Sequence, residues 1–233
     1  MRTDILRRAS VLLGVAALAV SAGGAGAQGR VDVSFVGVDP IGEMGRYVSA
    51  GGGIQVGGAI APERNSPIRL RSDFGFIVYG YESRRVCLSE TVGCRIELDL
   101  NTTNAIFYGG VGPEIVLARG PVEPYVHAQM GFSYFVTTSS LRSTWEWEDF
   151  ATTTNFDDVM WSWRAGGGMR VRLSGGRSPV YLDLGVERHQ NGLADFLTEG
   201  DIEDHPDGSI TLYPNRSEAN MVVFRVGASI GFR

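Results

Sequence analysis

The chain has 233 residues, with 21 basic against 26 acidic side chains and a formal net charge of -5. All of the basic residues are Arg, and the acidic excess argues against a surface that binds the phosphate backbone of nucleic acid. Glycine is abundant at 32 residues, yet it follows no collagen-like period and no Gly-x-x-x-x-Gly-Lys or strand-to-helix Gly-x-Gly-x-x-Gly context, so a nucleotide cofactor is not expected.

The N-terminus carries Arg2, Arg7 and Arg8, then an apolar run from Val11 to Val20, then small residues ending in Ala25-Gly26-Ala27. This order of charge, grease and small residues predicts a signal peptide over residues 1–27, cut after Ala27. Its removal takes three Arg and one acid and leaves a net charge of -7. The apolar run is about half the roughly twenty residues that a helical span requires. Nothing after Ala27 reaches that length, so any passage through a membrane falls to strands. No Ser/Pro-rich linker divides residues 28–233, which predicts one domain.

From there the chain alternates apolar and polar residues in strand-length segments. Val31 to Val38 puts Val31, Val33 and Phe35 on one face and Asp32 and Ser34 on the other. Val48 to Ile60 and Leu70 to Tyr79 repeat the split, the latter with Arg69, Arg71 and Asp73 on the polar face. Ala105 to Leu117 sets Phe107, Val111 and Ile115 against Tyr108 and Glu114. Val126 to Val136 sets Met130, Phe132 and Tyr134 against His127 and Gln129. Trp161 to Leu173 opposes Trp161, Trp163 and Met169 to Arg164, Arg170 and Arg172, and Val180 to Val186 opposes four aliphatics to Asp183, with Glu187 following on the polar face. The last segment, Val222 to Phe232, is apolar at every even position and has Arg225 among its odd ones. Eight strands are predicted.

The connectors alternate in length. Ala61 to Pro67, Arg119 to Glu123 and Gly175 to Pro179 are short; Glu82 to Asn101, Ser139 to Asp158 and Gln190 to Glu218 are long. Outer-membrane barrels have short periplasmic turns and longer outer loops, and both termini on the periplasmic side. An all-β, eight-stranded antiparallel up-and-down transmembrane barrel follows. A soluble ligand-binding barrel would use the same alternation with its faces inverted. The polar set Arg69, Arg71, Asp73, Glu114, Arg164, Arg170, Arg172, Asp183, Glu187 and Arg225 holds both signs of charge, as a packed polar lumen would. The apolar set would form an aggregating belt in water. The signal, strand count, loop asymmetry and closing strand R-V-G-A-S-I-G-F-R resemble the small eight-stranded outer-membrane barrels of the OmpA/OmpX-like superfamily. That resemblance covers Val31 to Arg233 and implies insertion from the periplasm, with the closing strand read by the barrel assembly machinery; Phe232 here is penultimate, not terminal.

An eight-stranded lumen is just wide enough for its own side chains, so a wide pore is not expected. Cys87 and Cys94, in the first long loop of an exported chain, predict a disulfide. Two thiols without nearby His fall short of a zinc site, so neither a metal nor another cofactor is expected. His189, with Glu187 before it and Asn191 after it, loosely resembles the His-x-Ser pair of lipid A deacylases, but the serine is missing. His127 likewise lacks a hydroxyl to activate. A lipid A-modifying enzyme is therefore the alternative and no catalytic residue is assigned. The acids Glu199, Asp201, Glu203, Asp204 and Asp207 do not match a calcium-loop spacing. Trp145, Trp147, Phe150 and Phe156 in the second long connector are candidates for contact with lipopolysaccharide or a partner. The expected function is a monomeric integral outer-membrane protein of a Gram-negative-type bacterium, with lipid around it and interaction sites in its loops.

Overall fold

A computed structural model describes residues 28–63, 66–87, 97–143, 149–176, 178–205 and 210–232. In chain order the strands are β1 (Gln28–Pro40), β2 (Gly51–Ala61), β3 (Ile68–Cys87), β4 (Glu97–Val116), β5 (Val122–Ser143), β6 (Asp149–Arg172), β7 (Val180–Gln190), β8 (Leu193–Phe196), β9 (Ile202–Asp204), β10 (Ile210–Leu212), β11 (Asn215–Glu218) and β12 (Met221–Phe232). Eight of them form one closed antiparallel ring, in which β1 to β7 are neighbours in sequence order and β12 returns to pair with both β7 and β1. No edge is left unpaired, which is what a sheet in hydrocarbon requires.

The pairing also fixes the shear. Starting at Met169 and stepping through Leu184, Val226, Phe35, Ile54, Phe76, Phe107 and Tyr134, the row of partners arrives at Val159, ten residues higher on the same strand. The strands are therefore tilted, and each step from β6 toward β7 and onward climbs about 1.25 residues, ten shared over eight strands.

The apolar positions face outward. Val33, Phe35, Ile54, Leu70, Val111, Met130, Phe224 and Val226 are all exposed on the ring's outer surface, and Trp161 and Trp163 are 77% and 60% exposed. The inward positions of the same strands are Asp32, Arg71, Glu114, Gln129, Arg170, Asp183 and Arg225, all buried. This is the polarity of a membrane barrel and the reverse of a soluble one. The aromatic residues Trp161 and Trp163 stand toward the long-connector end and Phe232 stands toward the other, as an interfacial girdle predicts.

The short connectors β2–β3, β4–β5 and β6–β7 are turns, as expected. The two long connectors after β3 and β5 are not simply loops. β3 and β4 each run 20 residues and β5 and β6 run 22 and 24, against 11 to 13 for β1, β2, β7 and β12. About 9 to 11 residues suffice to cross a bilayer, so both hairpins continue as paired sheet beyond the belt. Their upper halves are rich in Thr and Ser, which the sequence alternation treats as loop. Paired across strands, Thr138 opposes Thr154, Ser139 opposes Thr153, and Thr102 Oγ1 lies 2.9 Å from Ser139 Oγ. Such β-branched and hydroxyl pairs suit a solvated sheet. Bulges between Thr137 and Thr138 and between Leu141 and Arg142 adjust the register.

The third long connector, between β7 and β12, folds over the mouth. β8 pairs with β11 and β9 with β10. Phe196 enters the lumen and joins Phe135, Tyr79, Ile77 and Ile106 from the strands; it packs on Phe135 at 5.9 Å between ring centres and edge-on to Tyr79 at 6.3 Å, and the carbonyl of the buried Leu197 accepts from the Tyr79 hydroxyl. The first connector adds Met44 from a 3-10 turn (Met44–Arg46), entered through Gly42 at φ 67, a left-handed turn position that favours glycine. Val48, placed on the apolar outer face by its alternation, precedes β2 and is buried in this same cluster.

Candidate functional site

The lumen has two storeys. Toward the short-turn end it is a lattice of opposite charges. Arg71 donates from Nε to Asp73 Oδ2 at 2.7 Å, from Nη1 to Glu114 Oε2 at 2.9 Å and from Nη2 to Asp32 Oδ2 at 3.2 Å. Arg170 grips Glu114 with both Nη atoms, at 2.8 and 2.5 Å, and reaches Asp183 with Nε at 3.2 Å. Its guanidinium also lies 3.8 Å from the centre of the Tyr125 ring, whose hydroxyl donates to Asp183 and accepts from Arg225. Arg and Tyr planes stack well in this way and the fork geometry of Arg matches the carboxylates. At the short-turn rim Arg30 donates to Glu123 at 3.0 Å.

Nine of the ten residues predicted to line the lumen are buried there: Arg69, Arg71, Asp73, Glu114, Arg164, Arg170, Asp183, Glu187 and Arg225. Arg172 is the exception. It has the inward register but sits at the short-turn rim, its side chain 42% exposed and 3.6 Å from Glu123. Alternation assigns a face and not a depth. The lattice also includes Arg30, Glu123 and Tyr125, which sequence reading left out; Arg30 and Glu123 lie in segments where the alternation begins or ends.

Above the lattice the two histidines meet across the lumen, though β6 separates their strands. Glu187 lies between them, with His189 Nε2 at 2.8 Å and His127 Nε2 at 3.4 Å. His189 packs edge-on against Tyr108, whose hydroxyl donates to Gln55. Both imidazoles are almost fully buried, at 5% and 1%, inside the wall and away from the lipid face. Ser133 stands one storey higher and donates to Asn191 Oδ1 at 2.8 Å, so this hydroxyl belongs to the hinge of the plug. Asp73, His127 and Glu187 do bring ligand-type atoms within 4.8 Å of one another. However, Arg71 and Gln129 already engage Asp73, and the Arg164 guanidinium feels both carboxylates. Those positive charges occupy the electrostatic role a metal ion would take.

Among the outer residues, Phe156 lies in β6 opposite Thr137 and is half-buried, so it is a strand position and not a loop one. Phe150 belongs to the start of β6, but its side chain, like that of Cys87, lies outside the described residues, as do Trp145, Trp147 and Cys94 and the predicted signal over 1–27. Two acids of the last connector are used locally. Asp201 Oδ2 accepts from the Thr198 backbone and hydroxyl and from Asn215, and Glu203 accepts from Tyr213.

The charged lumen and apolar exterior decide the class. It is a small membrane-spanning barrel with a filled interior. No family model and no curated protein matches the sequence. Solved structures similar to the chain are bacterial outer-membrane barrels. One is Ail, the attachment invasion locus protein of Yersinia pestis, in complex with the heparin analogue sucrose octasulfate, at 8% identity and TM-score 0.46 over 89% of this chain and 99% of that one. Another is Neisserial surface protein A, at 12% identity and TM-score 0.41 over 90% and 98%. A third is the N-terminal β-barrel domain of Pseudomonas aeruginosa OprF, at 10% identity and TM-score 0.33 over 87% and 97%. These likenesses are distant, and the architecture rests on the closed ring and on the face that bears the charges.

Proposed function

We propose that the chain is an integral outer-membrane protein of a Gram-negative-type bacterium. Its barrel is a rigid anchor, and its tall hairpins and folded third long connector meet the outside. The observation that carries this reading is the contrast between a lumen closed twice, by ion pairs and by an apolar plug, and two hairpins that rise well beyond the belt. A closed lumen offers nothing to a diffusing solute, whereas the paired upper strands carry the sheet past the belt toward the outside. Surface contact is assigned to the tip of the β5–β6 hairpin, with Trp145, Trp147 and Phe150, and to Phe156 on the paired strand below it, and a Cys87–Cys94 disulfide fastens the neighbouring tip. The chain is exported by the signal over 1–27, inserted by the assembly machinery through β12, and surrounded as a monomer by lipid and lipopolysaccharide.

Gel mobility and protease access test this together. The folded protein is expected in the membrane fraction, running differently on a gel before and after boiling. Protease added to whole cells is expected to cut at the hairpin tips and to spare the β2–β3, β4–β5 and β6–β7 turns. Recovery in the soluble fraction, or cutting at the short turns alone, would overturn it.

A further inference from the structure

Among the described residues the outward register of the ring carries no charge from the short-turn rim to the Trp girdle, with one exception. On β7 it runs Leu182, Leu184, Val186 and then Arg188. Arg188 is exposed and makes no hydrogen bond or ion pair among the described residues. Its neighbours on that face are Ala165 on β6 and Val222 on β12, with Val186 below it, and Phe224 pairs with Val186. None of these offers a counter-ion.

Its height follows from the shear. Arg188 pairs with Ala165, and a step from β6 to β7 climbs about 1.25 residues. Arg188 therefore stands level with Trp163, which is exposed on the same face one strand away. That height is the outer boundary of the belt, where an aromatic girdle meets headgroups. A cation at mid-belt would cost about 2 to 4 kcal/mol, but near the interface the cost falls to about 0 to 1 kcal/mol. Arg188 is long enough to keep its stem among Val186 and Ala165 while the guanidinium reaches the headgroup layer.

We propose that Arg188, with Trp163 beside it, is a binding site for a phosphate group of an outer-leaflet lipid, specifically a lipid A phosphate of lipopolysaccharide. The guanidinium presents paired N–H donors to phosphate oxygens, and the indole face covers the acyl or sugar portion next to it. The site rests on the outer-membrane reading above, since the same arginine at the opposite rim would meet a different leaflet. It names the lipid contact of the barrel wall and is separate from any contact made by the hairpin tips.

Native mass spectrometry of the detergent-released, heat-modifiable protein tests it with bis-phosphorylated lipid A, dephosphorylated lipid A and phosphatidylglycerol as probes. The native chain is expected to retain bis-phosphorylated lipid A about fivefold better than the dephosphorylated form, the size of effect one basic residue has on anionic lipid. Arg188→Gln should remove that preference and Arg188→Lys should keep part of it. Equal retention of the two lipid A forms by the native chain, or an unchanged preference in Arg188→Gln, would overturn the site. A preference for phosphatidylglycerol over lipid A would also overturn it. If Arg188→Gln fails to fold, the comparison of the two lipid A forms on the native chain still decides. Heat modifiability is read in the same samples, so loss of the lipid preference with the folded band intact leaves the barrel reading standing.

Discussion

The lower and upper halves of the lumen are filled by opposite chemistries, and the difference shows what each half does. Below, Arg71, Arg170, Glu114, Asp73 and Asp183 hold one another across the ring, so every removal leaves a buried partner short of a counter-charge. Above, Ile77, Ile106, Phe135 and Phe196 pack as an ordinary core contributed partly by strands and partly by the last long connector. The lattice ties strand to strand inside the membrane; the plug ties the outer connector to the barrel. Asn191 fastens the connector to the wall, accepting from Ser133 on β5 and donating to the Ala219 carbonyl at 2.6 Å.

The largest effect is expected from Glu114→Gln. It takes the shared negative charge from Arg71 and Arg170, sets an amide N–H donor against their guanidinium groups, and should cost about 3 to 5 kcal/mol, read as a lowered urea midpoint for the folded, fast-running gel band. Phe196→Ala should cost about 3 kcal/mol through loss of a buried ring, but differently placed. Proteolysis between residues 191 and 220 is expected to begin at lower urea than loss of the folded band, whereas Glu114→Gln should move both together. Simultaneous loss of both signals in Phe196→Ala would mean that the halves are one cooperative unit. Asn191→Ala, which unties the hinge, should cost about 1 to 2 kcal/mol and act on the connector first, as hydrogen exchange of residues 193–197 would report. Tyr213→Phe removes only an exposed bond to Glu203 and should change the midpoint by less than about 0.5 kcal/mol.

The same division explains what the sequence discloses. In the lower half a charged inward residue alternates with an apolar outward one, so Arg69, Arg71 and Asp73 or Arg170 and Asp183 announce their face. In the upper half both faces are apolar. Tyr134-Phe135-Val136 on β5, Ile106-Phe107 on β4 and Met221 to Phe224 on β12 read as continuous runs, and alternation has nothing to separate. The plug is therefore invisible until the ring is closed and Phe196 is seen to enter it. The histidine pair is hidden for a different reason. His127 and His189 lie on strands that are not neighbours, and only the curvature of the wall brings Glu187 between them. Arg188 stands just past Val186, where the apolar alternation of β7 ends, and its outward position is set by pairing with Ala165 and Val222.

The central claim is that the barrel is filled and conducts nothing. Planar-bilayer recording of the folded, heat-modifiable protein measures this directly: the current is expected to stay at the level of the bare bilayer. Repeated stepwise openings of constant size from the intact native chain would contradict it.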